Sequence, residues 1–159
     1  MNKLDYHNNK TLKLTNVLKY RVLMNEDEQD INVVLSQMDA YIRTKGAMQI
    51  GPLIQYTRTF VNAVGELEAE MELMLQCNTM LHNVEQPYRM EPVVRIPNAM
   101  YCRFHGKEND LRFAYSKIAL EAYEADVKLS DCNYTIFVGA DEDEETMTAD
   151  VFIPRAQAG

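Results

Sequence analysis

The sequence is poor in basic residues. Lysine and arginine number 16 against 24 aspartates and glutamates among 159 residues, which gives a formal net charge of -8. A surface that binds nucleic acid needs a basic stripe, so a direct nucleic-acid partner is not expected. No apolar run approaches the ~20 residues that span a bilayer, and the polar first ten residues lack the apolar core of a signal peptide. We therefore expect a cytoplasmic protein that does not contact membranes.

Cysteine is scarce, and the common catalytic and nucleotide-binding motifs are missing. Cys77, Cys102 and Cys132 are odd in number and far apart, which favours buried thiols in a reducing compartment over a disulfide framework. Cys102 and His105 form a lone C-x-x-H, which is too little for a zinc site. P-loop, GxGxxG and GxSxG motifs are absent, so nucleotide binding and serine hydrolysis have no support. We expect neither a metal nor a cofactor.

Two segments have the period of a helix with one apolar face. In the first, Asn25 and Glu28 resemble a capping box and Gly46 is a stop signal. Its apolar positions are Ile31, Val34, Leu35, Met38, Tyr41 and Ile42. The second helix follows Gly106, with a stripe of Leu111, Ala114, Tyr115, Ile118 and Ala122. Tyr41, Tyr115 and Tyr123, all on helices, are expected in the core.

Strand patterns surround these helices, so that the order strand, helix, strand, strand occurs twice. The predicted strands are 11–24, 52–61, 66–77, 99–105, 132–140 and 146–154. Residues 66–77 could also form a helix, but Glu70 and Glu72 alternate strictly with Met71 and Leu73, which favours a strand. The length predicts one domain, residues 1–159, with repeat one at about 11–77 and repeat two at about 93–156. The predicted fold is α+β, with two pseudo-symmetric repeats and mostly antiparallel sheets.

The second repeat carries a set of spaced residues that resembles a known family. HGKENDLRFAYSKI has Gly106, an Ala114-Tyr115 pair and Ile118, and the strand ADVFIPRA follows some thirty residues later. Between about Asn98 and Ala156 the chain resembles the GyrI-like small-molecule-binding family, the bacterial transcription-activator effector-binding domains. The resemblance implies helices packed behind the sheets and a ligand cleft between the modules. It implies binding of lipophilic cations by a carboxylate four residues before the last proline, here Asp150, where relatives often have Glu.

Aromatic and acidic side chains around Asp150 make the candidate ligand site. Asp150 and Phe152 share one strand face, and a carboxylate beside a ring suits a cation; a solvated strand residue is the simpler alternative. Glu70 and Glu72 are the counterparts of Asp150 in repeat one, since Ala69-Glu70-Met71 parallels Ala149-Asp150-Val151. Many relatives stack ligands on tryptophan, which this chain lacks. Tyrosines would serve instead, and those on or near strands are Tyr56, Tyr88, Tyr101 and Tyr134.

Three functions follow from this site and resemblance. The first is binding of several kinds of small amphipathic or cationic molecules, for sensing or sequestration. If the chain regulates transcription, it would need a partner protein. The second, from the family, is a hydrolase of strained-ring alkylating compounds that uses Glu70 or Glu72 with Tyr134 or Tyr56. The third is a protein inhibitor of DNA gyrase. The excess negative charge lies at residues 66–72 and 141–145, in or before the last strand of each repeat, which favours a cationic ligand.

Overall fold

In the part of the chain that the structure describes, six strands and two α-helices follow one another in the predicted order. The computed structural model describes residues 2–22 and 30–156. Its elements are β1 (Lys3–Val22), α1 (Ile31–Thr44), β2 (Gln49–Val61), β3 (Leu67–Cys77), β4 (Tyr88–Gly106), α2 (Arg112–Glu124), β5 (Cys132–Asp141) and β6 (Thr146–Ile153). β3 pairs antiparallel with β1 and β2, and β6 pairs antiparallel with β4 and β5. The third strand of each repeat therefore lies between the other two, and the predicted α+β fold class is confirmed.

The chain divides into two compact units. One comprises Lys13–Val94, and the other comprises the residues up to Leu12 together with those from Arg95 onward. The long strands β1 and β4 each contribute to both units. No helix in the described ranges is long and apolar enough to cross a membrane.

β1 and β4 are longer than the sequence predicts. β1 begins at Lys3 rather than Thr11, and β4 begins at Tyr88, ahead of the predicted strand 99–105. Apart from Leu4 and Tyr6, residues 3–10 are polar, and Pro92 and Pro97 interrupt the pattern in β4. Proline lacks an N–H but has the φ of an extended chain, so it terminates the sequence pattern without ending the strand.

α1 begins and ends on residues that satisfy its backbone. The Asp30 carboxylate accepts a hydrogen bond from the N–H of Asn32 at 2.9 Å, as an N-cap does. The predicted capping residues Asn25 and Glu28 lie outside the described residues. Gly46 has a φ of +78° and donates its N–H to the carbonyl of Arg43. This left-handed conformation favours glycine, and it confirms the predicted stop.

Each helix packs on the sheet of its own repeat. Val34, Met38 and Ile42 of α1 lie in a buried cluster with residues of β1 and β3, namely Leu18, Leu73, Leu75 and Cys77. The equivalent cluster around α2 contains Ala114, Ile118, Ala122, Met100, Cys102, Phe104, Ala149, Val151 and Ile153. The predicted apolar faces of both helices and of β3 are therefore confirmed, except that Ile31 at the start of α1 is 36% exposed.

The helix tyrosines are not all in the core. Tyr41 and Tyr115 pack against these clusters as predicted, but Tyr123 is 85% exposed. Tyr123 follows the buried Ala122 by one residue, or ~100° around the helix, and this places it on the outer side. The prediction of a buried Tyr123 is wrong because helix membership alone does not decide which side a residue faces.

Candidate functional site

Asp150 is held by two side chains of the neighbouring strand. Its backbone lies opposite Arg103, and Tyr101 lies opposite Phe152. Arg103 donates from Nε to Oδ1 at 2.7 Å and from Nη2 to Oδ2 at 2.9 Å, and the Tyr101 hydroxyl donates to Oδ1 at 2.7 Å. Residues two apart on a strand share a face, so Tyr101 and Arg103 both reach the carboxylate. The result is a two-pronged arginine pair with a third hydrogen bond.

The electrostatics of this site keep the carboxylate charged. Only 13% of the Asp150 side chain is exposed. Burial raises the pKa of Asp150, but the hydrogen bonds from Arg103 and Tyr101 and the charges of Arg103 and Lys10 outweigh burial and hold that pKa below its usual range. The pKa of Tyr101 is raised by burial and by its hydrogen bond to Asp150. The tyrosine therefore remains a hydrogen-bond donor at neutral pH.

Aromatic rings and a lysine complete the site. The ring centroids of Tyr101 and Phe152 are 4.9 Å apart with the planes tilted by 50°, and both residues are buried. The ammonium of Lys10 lies 4.1 Å from the centroid of the Tyr101 ring, within the range of a cation–π contact. The His7 ring lies 5.8 Å from the same ring. We call Asp150, Arg103, Tyr101, Phe152 and Lys10 the Asp150 cluster, in which a lysine of the chain covers the ring.

The carboxylates of Glu70 and Glu72 in repeat one are held by three arginines. Glu70 accepts from Arg58 Nε at 2.8 Å through Oε1 and from Arg21 Nη2 at 2.5 Å through Oε2. Glu72 forms an ion pair with Arg89. We call these five residues the Glu70–Glu72 cluster.

Strand register gives Glu72 and Asp150 the same kind of neighbour. Arg21 lies opposite Glu72 between β1 and β3, as Arg103 lies opposite Asp150 between β4 and β6. Glu72 therefore shares with Asp150 a position opposite an arginine, while Glu70 shares with it the parallel between Ala69-Glu70-Met71 and Ala149-Asp150-Val151.

The four candidate tyrosines lie in different places. Tyr101 is in the Asp150 cluster, and Tyr134, which is buried, lies opposite Phe152 between β5 and β6. Tyr56 lies opposite Glu72 between β2 and β3. Tyr88 packs among the side chains beside α1, with its ring centroid 4.5 Å from that of Tyr41. The structure thus brings Asp150, Tyr101 and Phe152 together and places Tyr88 elsewhere.

Sequence reasoning missed every cation in these two clusters. Arg103 could have been found, because a Tyr-x-Arg on one strand and an Asp-x-Phe on another present a donor, a charge and a ring at the same spacing. Lys10 could not, because residues 3–10 lack a strand pattern. Among the described residues, no group of three histidine, cysteine or acidic side chains is placed to hold a metal ion.

Solved structures with the same fold include two of EcmrR. The crystal structure of the EcmrR C-terminal domain matches with a TM-score of 0.66 and 13% identity, over 96% of this chain and 99% of that one. In the cryo-EM structure of the EcmrR–DNA complex the TM-score is 0.64 with 12% identity, over 99% of this chain and 58% of that one. SAV2435 bound to tetraphenylphosphonium matches at 0.45 with 9% identity, over 93% of both chains, which is too distant to compare sites.

No protein-family model and no curated protein sequence matches the chain. The likeness to EcmrR is therefore one of fold. It shows that this chain has the fold of the EcmrR C-terminal domain, in agreement with the α+β fold that the GyrI-like resemblance implies.

Proposed function

We propose that this chain binds small amphipathic molecules, lipophilic cations in particular, at the Asp150 cluster. The two repeats would act as one binding domain in the cytoplasm, for sensing or sequestration. One observation carries the proposal: the exposed side chain of Lys10 places a cation over the Tyr101 ring, beside a carboxylate that is itself 13% exposed. A cation in this position gains both ring-face attraction and the field of the carboxylate.

Binding would proceed by exchange of one cation for another. Lysine is a strongly hydrated charge on a flexible stem, so its ammonium can return to water at small cost. A lipophilic cation gains more from the ring, because it loses less hydration on leaving water. The charge balance of the cluster is unchanged by this exchange. Arg103 keeps its two hydrogen bonds to Asp150 throughout, so the carboxylate stays oriented.

The geometry favours binding over hydrolysis. The hydrolase alternative needs Glu70 or Glu72 to activate water. Both oxygens of Glu70 already accept hydrogen bonds from guanidinium groups, and Glu72 is paired with Arg89. The gyrase-inhibitor alternative would use the exposed acidic turn 141–145, where a row of carboxylates facing water is also what solubility alone requires.

The first experiment compares a lipophilic cation with its neutral form. Crystal violet and its uncharged leuco form share one skeleton, and isothermal titration calorimetry measures their affinities at pH 8. We expect the cation to bind more tightly by about tenfold. Equal affinities would contradict the proposed preference for cations. Absence of binding by both dyes would overturn the proposal as a whole.

Three variants then locate the site. Asp150→Asn removes the charge at nearly constant size and should weaken binding of crystal violet by about tenfold. Lys10→Gln removes the competing ammonium and should tighten it by about threefold. Asp143→Asn is the matched control, because it removes the same charge from the exposed turn. An affinity that Asp150→Asn and Asp143→Asn reduce equally would place the ligand elsewhere.

A further inference from the structure

The outer side of α2 carries apolar side chains that face water. Phe113 is 43% exposed, Leu120 is 53% exposed and Tyr123 is 85% exposed. Between them lie Ser116 and Ala119, which are small and also exposed. At ~100° per residue these five residues share one side of the helix, opposite the buried Ala114, Ile118 and Ala122.

The equivalent helix of repeat one shows what a water-facing surface looks like in this fold. Its first turn exposes Ile31 (36%) and Val33 (51%), as the first turn of α2 exposes Phe113. After that turn the exposed residues of α1 are Ser36, Gln37, Ala40, Arg43 and Thr44, and none of them is a large apolar side chain. Since α1 and α2 occupy the same place in their repeats, the exposed Leu120 and Tyr123 of α2 are not required by the fold.

Charge on this side of α2 is confined to its ends. Arg112 begins the helix and Glu124 ends it, and both are exposed. Lys117 and Glu121, at the border of the stripe, pair with each other at 2.7 Å. The helix therefore has a positive group at one end, a negative group at the other and apolar groups between them.

We propose that α2 docks antiparallel on α2 of a second copy of this chain. The pattern is symmetric about Ile118, so a two-fold axis there pairs positions 112 with 124, 113 with 123, and 116 with 120. Each Arg112 then faces Glu124 of the second copy. Phe113 meets Tyr123 as an aromatic pair, and Leu120 packs beside the small Ser116.

The end charges favour a second copy over an unrelated helix. A foreign helix would need its own acidic residue twelve positions from a basic one, in the reverse direction. This chain supplies that complement itself, and the two-fold axis forms each contact twice. Small residues near the middle of the stripe allow the two helix axes to approach closely.

The first test measures association against concentration. Sedimentation equilibrium from micromolar to millimolar protein should show a monomer–dimer equilibrium. Leu120→Glu should weaken the dimer by about a hundredfold, since a charge then enters the apolar stripe of both copies. Val33→Glu is the matched control, because Val33 on α1 is exposed to the same extent as Leu120 (51% and 53%), and it should leave the dimer unchanged. A protein that stays monomeric throughout, or equal effects of both variants, overturns the proposal.

Charge exchange tests the antiparallel geometry. Arg112→Glu and Glu124→Arg each place like charges together and should each weaken the dimer by about tenfold. The double variant should restore it. The two single variants, when mixed, should form a heterodimer, because every end contact then joins opposite charges. Absence of both rescues overturns the antiparallel pairing, and circular dichroism of each variant verifies that α2 is folded.

Discussion

Asp150 and Glu72 both lie on the third strand of their repeats, and their surroundings can be compared. Each lies opposite an arginine of the first strand of its repeat, and their side chains are 13% and 14% exposed. Asp150 takes two hydrogen bonds from that arginine and one from Tyr101. Glu72 is instead paired with Arg89, while the arginine opposite it, Arg21, binds Glu70.

Charge balance does not distinguish the two clusters. In each of them, positive groups outnumber negative groups by one, so the charges of Asp150, Glu70 and Glu72 are already compensated. The clusters differ in whether the same cation contacts both an aromatic ring and a carboxylate. Arg58 both lies 4.9 Å from the Phe60 ring and donates to Glu70. In the Asp150 cluster these tasks are divided between Lys10 and Arg103. In the Asp150 cluster, unlike in the Glu70–Glu72 cluster, the cation over the ring can leave without breaking a hydrogen bond to the carboxylate.

The largest expected effect tests whether the repeats are equal in their cores. Ile42 and Ile118 are both fully buried on the inner faces of their helices. Ile42→Ala and Ile118→Ala should each lower the free energy of unfolding by about 2–5 kcal/mol, measured by urea denaturation. Each variant leaves a cavity between the helix and the sheet of the same repeat. A loss in one repeat that is several times the loss in the other would show that the cores are unequal.

The core itself is what the sequence predicts best. Apolar spacing identifies Val34, Met38 and Ile42 and their counterparts in α2, because the residues buried on one helix face recur in the sequence with the period of the helix. Strict alternation likewise identifies the inner face of β3. The first residues of β1 and β4 show no such periodicity. The polar residues and prolines there adopt an extended backbone, but no apolar position repeats among them.

The next effect separates the two carboxylates. Asp150→Asn should lower the free energy of unfolding by about 1–2 kcal/mol, because it weakens three hydrogen bonds to a charged acceptor. Glu72→Gln should cost about 0–1 kcal/mol, since it weakens an ion pair with the half-exposed Arg89 rather than two arginine hydrogen bonds and one from a buried tyrosine. Urea denaturation at pH 7 measures both. Equal losses would mean that the Tyr101 hydroxyl and the second arginine contact add nothing.

A smaller effect follows from the pKa of Asp150. That pKa is lower in the folded chain than in the unfolded one, so the unfolded state binds the proton first as the pH falls. The stability contributed by the ionised carboxylate is present above about pH 4 and is lost as the pH falls further. The difference in stability between the natural protein and Asp150→Asn should therefore shrink below about pH 4. A difference that is constant with pH would contradict the lowered pKa of Asp150.

The candidate site was only partly predictable from the sequence, because its carboxylate and its cations lie on different strands. Asp150 and Phe152 share a strand face, which alternation reveals, but a carboxylate and its arginine come from different strands. Their meeting depends on register, which no single strand encodes. The tripeptide parallel relates Asp150 to Glu70, whereas the register shows that Glu72 is the one that lies opposite an arginine of β1. Lys10 could not be predicted, because residues 3–10 of β1 have no apolar period.

The smallest effect addresses the cation over the ring. Lys10→Gln should cost no more than about 0.5 kcal/mol, since an exposed cation–π contact is worth about 0.5–1 kcal/mol and the variant also removes the one excess positive charge of its cluster. Arg58→Gln should cost about 1 kcal/mol, because it removes a ring contact and a hydrogen bond to Glu70 together. Urea denaturation of both variants at low ionic strength makes the comparison. A lysine that costs as much as the arginine would be a structural element of the cluster, and a cationic ligand would then have to reach the Tyr101 ring without displacing Lys10.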